Sequence, residues 1–183
     1  MSLPAVELHR FTREEYQRMG AEGLFPNRVE LIEGAIYDMS PQKSQHAVVV
    51  SLAEAALHSA FGAGFYIRVQ MPLALGDDSE PEPDVAVVPG NPRDYLAGHP
   101  QTALLVVEVA DSSLRHDRKA KLPLYARFGI PEAILIDLLQ PALEVHRVPT
   151  PGGYRSRTVL RRGDTLALLA LPSLSLAVAE LLP

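Results

Sequence analysis

The chain has 183 residues, 47% of them hydrophobic and 21% charged, with a formal net charge of −5. That length supports one apolar core without staples and predicts a single domain over 1–183, with its core at about 10–150 and C-terminal strands and a short helix at about 151–183. The absence of cysteine excludes disulfides and thiolate metal ligands, and the net charge argues against a bulk nucleic-acid binder.

Thr12-Arg13-Glu14-Glu15 is a capping-box pattern, so a helix is expected over about 13–19, ended by Gly20 and Gly23. Residues 28–32 and 35–39 alternate around Glu33-Gly34 and predict a hairpin. Ser44 is a candidate N-cap for a helix over 45–61. Residues 65–70 alternate as a half-buried strand, which Leu73 and Leu75 extend past Pro72. Residues 76–83 form an acidic loop. The valine-rich runs 84–88 and 103–109 fit central strands covered on both faces. A helix is expected over 115–128, with Pro123 either kinking it or marking its true first turn, and with Gly129 at its C-cap. Further strands are predicted at 132–138, 143–148 and 154–160, then a short terminal helix at 174–182. This order implies an α/β domain, bordering on α+β, built on a mixed sheet.

No apolar run approaches the roughly 18 residues of a membrane span. Residues 1–10 lack a basic start followed by an apolar stretch, so no signal peptide is expected. A cytoplasmic protein without a membrane partner is the expectation. The charge is uneven: residues 1–114 hold 7 basic and 16 acidic side chains, and residues 115–183 hold 10 and 6. A basic half beside an acidic half suits a phosphate groove flanking a carboxylate metal site, or a solvated surface with chance asymmetry.

Asp84 opens one apolar run and Glu108 stands near the end of another. A central strand is a costly place for a charge unless it is paired or binds a cation. Two carboxylates at neighbouring strand ends could hold one Mg²⁺, which takes oxygen ligands and keeps several waters. Each residue has a plainer reading as well. Asp84 could simply start a strand after a Pro turn, and Glu108 could pair with Arg68. Glu30 could pair with Arg28 or Lys43 on a surface. His46 could be a satisfied core or capping histidine, and Asp117 with Lys121 an ordinary helix ion pair. Of the three lysines, Lys43, Lys119 and Lys121, two fall in the segment after Glu108.

Pro83-Asp84 followed by Glu108-Val109-Ala110 resembles the PD-(D/E)XK nuclease superfamily, which has the restriction-endonuclease-like fold. A longer ordered series resembles the Uma family, a large bacterial group regarded as endonucleases. It runs through Val29-Glu30-Leu31-Ile32-Glu33-Gly34, Met39-Ser40-Pro41, His46, Pro83-Asp84-Val85 and Val107-Glu108-Val109. It continues through Asp117, Lys121, Tyr125, Gly129-Ile130-Pro131-Glu132 and Ile136-Asp137, so it covers about 10–150. The resemblance implies a mixed central sheet flanked by helices and a Mg²⁺- or Mn²⁺-dependent DNA endonuclease. A catalytically silent nucleic-acid-binding or scaffold protein on the same fold is the alternative. It makes Asp84 and Glu108 the metal ligands, Glu30 a further acid, and Gln70 a site-edge residue, with His46 a further candidate. The superfamily lysine position is Ala110 here, and Lys121, oriented by Asp117, takes the role from the next helix. Arg115, Arg118 and Lys119 are the expected phosphate contacts, with Arg155 and Arg157 outside them. Cutting both strands of a duplex needs two sites, so a homodimer is expected.

Overall fold

A computed structural model describes residues 7–183. Helix α1 (Arg13–Ala21) starts at the predicted capping box, in which Thr12 and Glu15 each accept from the other's backbone N–H. Strands β1 (Val29–Ile32) and β2 (Ala35–Asp38) form the predicted hairpin as a separate two-stranded sheet. Its turn places Glu33 at φ 50° and Gly34 at φ 74°, the two left-handed residues that a twisted hairpin requires. A Cβ at Gly34 would lie 2.6 Å from Cβ of Arg10.

Helix α2 (Ser44–Phe61) begins one residue early. Lys43 holds the cap position with no side-chain bond, so Ser44 does not cap it. Strand β3 (Phe65–Val69) ends at Gln70, whose φ of 52° turns the chain out of the sheet. Leu73 and Leu75 therefore do not extend β3; both are fully buried off the sheet. Strands β4 (Val85–Pro89), β5 (Leu105–Ala110) and β6 (Glu132–Asp137) follow, then β7 (Ala142–Thr150) and β8 (Gly153–Leu160). The six-stranded sheet has the order β3-β4-β5-β6-β7-β8. Only β5 and β6 run parallel, and the other neighbours are antiparallel. A parallel pair needs a crossover, and a helical segment supplies it: α3 (Leu114–His116), a π turn (Asp117–Lys121) and α4 (Leu122–Arg127).

Alternation along β5 divides the core in two. Leu105, Val107 and Val109 face α2, with Val50, Ala53 and Leu57 packed over them. Val106 and Ala110 face α4, with Leu122, Leu124 and Tyr125. Each fully buried leucine or valine contributes about 1.5–3 kcal/mol. Glu108 shares the α4 face.

Pro123 stands in the first turn of α4, one of its two expected roles, rather than kinking a longer helix. It lacks the N–H that the Lys119 carbonyl would accept, and the ladder widens upstream instead. The Leu122 N–H donates to the Asp117 carbonyl, five residues back. A short antiparallel pair, β9 (Thr165–Ala167) and β10 (Ser175–Ala177), closes the chain with a 3₁₀ turn at Val178–Glu180. The terminal helix predicted over 174–182 is thus replaced. Leu176 and Val178 meet the α2-side core at strand spacing, beside Leu166, Leu181 and Leu182. Among the described residues, no helix is long and apolar enough to cross a membrane.

Candidate active site

Val85 pairs with Val107 and Val87 with Leu105. One more step of that antiparallel register sets Asp84 opposite Glu108, on the α4 face of both strands. Asp84 is held by three donors. The Val109 N–H donates to its Oδ2 at 2.8 Å, and His46 Nε2 lies 3.2 Å from the same oxygen. Gln70 Nε2 donates to Oδ1 at 3.2 Å. Burial alone would raise the Asp84 carboxyl, but the His46 contact, the Val109 N–H and the Lys121 charge outweigh it and hold it below the usual range. His46 stands in the first turn of α2, which reaches around the strand end from the opposite face. Its bond to Asp84 lifts its pKa despite partial burial.

Lys121 comes from the π turn and is 4% exposed. Its Nζ lies 3.1 Å from Glu30 Oε2 and 3.2 Å from each Glu108 oxygen, and donates to the Glu82 carbonyl at 3.2 Å. Burial works against the charged ammonium, but Glu108, Glu30, Asp117 and Asp84 overcome it and keep Lys121 protonated. Glu108 is pushed well above the ordinary range by burial and by its acidic neighbours, with Lys121 pulling the other way. Glu30 stays below its usual value: Lys121, His116 and the Glu82 N–H more than offset its burial. The Tyr125 hydroxyl donates to Glu108 Oε1.

Asp117 does not orient Lys121 as expected. Three acceptors already surround the ammonium, and Asp117 accepts from the Ser113 hydroxyl at 2.6 Å instead. The plainer pairings also resolve. Arg28 pairs with Glu82 and Lys43 with Asp111, not with Glu30. Arg68 donates to the Pro72 carbonyl and lies over the rings of Tyr66 and Tyr95, away from Glu108. The site opens into a cavity of about 1060 Å³, lined also by the β1–β2 hairpin and by residues 39–43 and 111–113.

Residues 13–179 match the Uma2 family, described as a putative restriction endonuclease family. The chain belongs to the Uma2 family. A solved structure of a putative nuclease of the DUF820 group from Anabaena variabilis is similar, with 16% identity and a TM-score of 0.72. That likeness covers 93% of this chain and 97% of the other. It shows the fold, which is restriction-endonuclease-like. No curated protein matches the chain.

Of the expected phosphate contacts of this Uma2 chain, none lines the cavity over Asp84 and Glu108. Arg118 and Arg157 both bind the buried Glu144, at a second cavity of about 450 Å³ that also holds His146 and Tyr154. Arg118 also lies 3.7 Å from Asp137. Arg118 and Arg157 thus tie the crossover helix to the β7–β8 edge through Glu144. Arg115, Lys119 and Arg155 are exposed and make no ion pair among the described residues.

Burial raises the Glu144 carboxyl, but bonds from Arg157, Arg118 and His146 carry it down to about 2. A depressed carboxyl stabilises above its unfolded value and loses that contribution as pH falls through the folded one. Glu144→Gln should therefore cost on the order of 1–2 kcal/mol at pH 7, because half-exposed arginines are screened by solvent. The difference from the parent should shrink steadily as pH falls from about 5 toward 2 in urea unfolding. A gap that does not shrink over that range would contradict this role.

The sequence did not single out His116, whose ring lies tilted against that of Tyr37 and 3.5 Å from Glu30. Nor did it give Tyr125 a task. The available signal was its position four residues after Lys121, one turn along the same helix face.

Proposed function

We propose that this protein is a Mg²⁺- or Mn²⁺-dependent endonuclease that hydrolyses phosphodiester bonds in DNA. One observation carries the reading: Asp84, Glu108 and Lys121 converge from two adjacent strands and the crossover helix on the floor of one open cavity. The family's description supports it. The donor chemistry fits a hard divalent cation, since Asp84 and Glu108 present carboxylate oxygens on one face and the chain has no sulfur ligand of the thiolate kind. Among the described residues, no cluster of three or more acids and histidines could cage an ion alone. Such an ion would keep several waters, as Mg²⁺ does. When bound, it supplies a Lewis acid and lowers the pKa of a coordinated water.

The protein's own groups do the rest. Gln70 and His46 hold Asp84 in place. The Lys121 ammonium stands beside Glu108, where charge develops on an attacked phosphate. Glu30 shares that ammonium. Ala110 at the superfamily's lysine position favours the silent alternative only if the ammonium is missing, and Lys121 supplies it 3.2 Å from Glu108. The test is incubation with single-stranded, double-stranded and branched DNA, with Mg²⁺ or Mn²⁺ and with chelator. Cleavage that needs the metal is expected. No cleavage of any substrate with either metal sinks the reading.

Arg115 and Lys119, exposed on the crossover segment, are the phosphate contacts of this reading, with Arg155 an outer candidate. Removing both Arg115 and Lys119 should flatten the salt dependence of duplex binding by about 1.8 log units per decade of salt, at roughly 0.9 per phosphate. An unchanged slope would refute them. Two copies supply the two sites that a double-strand cut needs. Sedimentation should show a dimer at micromolar concentration, and a monomer alone rules that out.

A further inference from the structure

Tyr125 is fully buried in the α4-side core, where a phenylalanine or leucine would pack as well. Burying a hydroxyl is costly unless it is bonded. Its bond goes to Glu108 Oε1, on the strand that the helix covers. We propose that Tyr125 is a positioning residue for Glu108, holding its carboxylate in the orientation from which it takes a divalent cation.

Three features of the surroundings argue for this role. Lys121 Nζ stands 3.2 Å from both Glu108 oxygens. With that ammonium as its sole donor, the carboxylate could pivot about the ammonium and turn away from the cavity. A neutral donor on Oε1 opposes that rotation without adding charge. It also fixes which edge of the carboxylate faces the open space that Glu108 lines. The helix is shaped for the task too. An α-helix advances about 100° per residue, so Asp117 and Tyr125 would stand some 80° apart around its axis. The π turn has more residues per turn, about 4.4, and cancels most of that offset. Tyr125 is thereby brought close to the line of Asp117, on the side of the helix from which Lys121 reaches Glu108. A packing residue would need no such alignment.

The inference rests on the metal-dependent reading above. Groups that orient a metal ligand typically control metal affinity by 10–100-fold when removed. The experiment is a Mn²⁺ titration by calorimetry on the whole protein without DNA, with Tyr125→Phe and Tyr125→Met beside the parent. Circular dichroism before metal addition reads the fold. Both variants should stay folded and bind Mn²⁺ at least 10-fold more weakly. Turnover on cleavable DNA should recover as Mn²⁺ is raised, since the hydroxyl acts through Glu108 and not on the phosphate. Affinity equal to the parent's overturns the proposal. So does turnover that stays low at saturating Mn²⁺, which would put the hydroxyl in the chemistry. If both variants fail to fold, Tyr125 is a core residue and the proposal falls. If the parent binds no Mn²⁺, the metal-dependent reading fails first and takes this one with it.

Discussion

Lys121→Met should lower turnover by roughly 10²-fold or more and destabilise the protein at neutral pH. The first effect follows from position. Phosphodiester attack builds negative charge, and an ammonium aimed at that charge stabilises the transition state more than the ground state. Methionine keeps the stem's volume and removes the charge. The second effect follows from burial. Lys121 neutralises Glu30 and Glu108, each less than 5% exposed. Removing one partner of a buried ion pair costs about 3–5 kcal/mol, because the other is left uncompensated. Glu108 softens the cost by taking up a proton, since burial has already raised its carboxyl.

That gives the variant a distinctive pH dependence. A carboxyl whose folded pKa lies above its unfolded value binds more protons in the folded state over that interval. Stability then rises as pH falls. Glu108 is raised in the parent too, and losing Lys121, which pulls it down, raises it further. Lys121→Met should therefore gain stability relative to the parent as pH falls from neutrality, read by urea unfolding. Lys119→Ala is the control. Lys119 is exposed and rotated away from Lys121, so its loss should weaken DNA binding and spare turnover at saturating substrate. If Lys119→Ala loses turnover and Lys121→Met does not, the lysine assignment is wrong.

The strand acids were legible in the sequence because a carboxylate inside a valine run is anomalous on its face. Asp84 and Glu108 announce a cost that something must offset. Lys121 was legible through its place in an ordered series, since helical spacing alone allowed an ordinary ion pair with Asp117. The partners were less visible. Nothing local in the sequence says that Lys121 reaches Glu30 from a hairpin some 90 residues earlier, or that the Asp117 carboxylate turns to Ser113. Arg118 and Arg157 read as free cations because Glu144 lies across a strand pairing that composition does not reveal. Leu73 and Leu75 have strand spacing, yet Gln70 enters the left-handed region and carries them off the sheet. The C-terminal run was ambiguous for a physical reason. Short apolar segments fit a strand or a helix equally, and packing against the α2-side core decides.

Asp84→Asn should abolish divalent-metal binding, and it should also destabilise the protein. Removing an acid from a crowd of acids relieves repulsion, which taken alone would stabilise. The surroundings reverse that sign. Asp84 accepts from the Val109 N–H and from Gln70, and His46 Nε2 lies 3.2 Å away. Those contacts hold its carboxyl below the usual range, so the folded state favours its charge. An asparagine offers one acceptor oxygen and sets an NH₂ against one of the donors. A buried donor left without an acceptor costs about 1–3 kcal/mol. His46 reports the change directly. Its pKa is raised chiefly by the bond to Asp84, so its NMR titration should move to lower pH in the variant. The metal supplies the larger readout. A ligand at 100 times its dissociation constant stabilises the folded state by about 2.7 kcal/mol. The parent should show that gain on Mn²⁺ addition and Asp84→Asn should show none. A variant that keeps the gain would remove Asp84 from the ligand set. One that loses the gain while His46 still titrates as in the parent would leave Asp84 a ligand without the His46 contact.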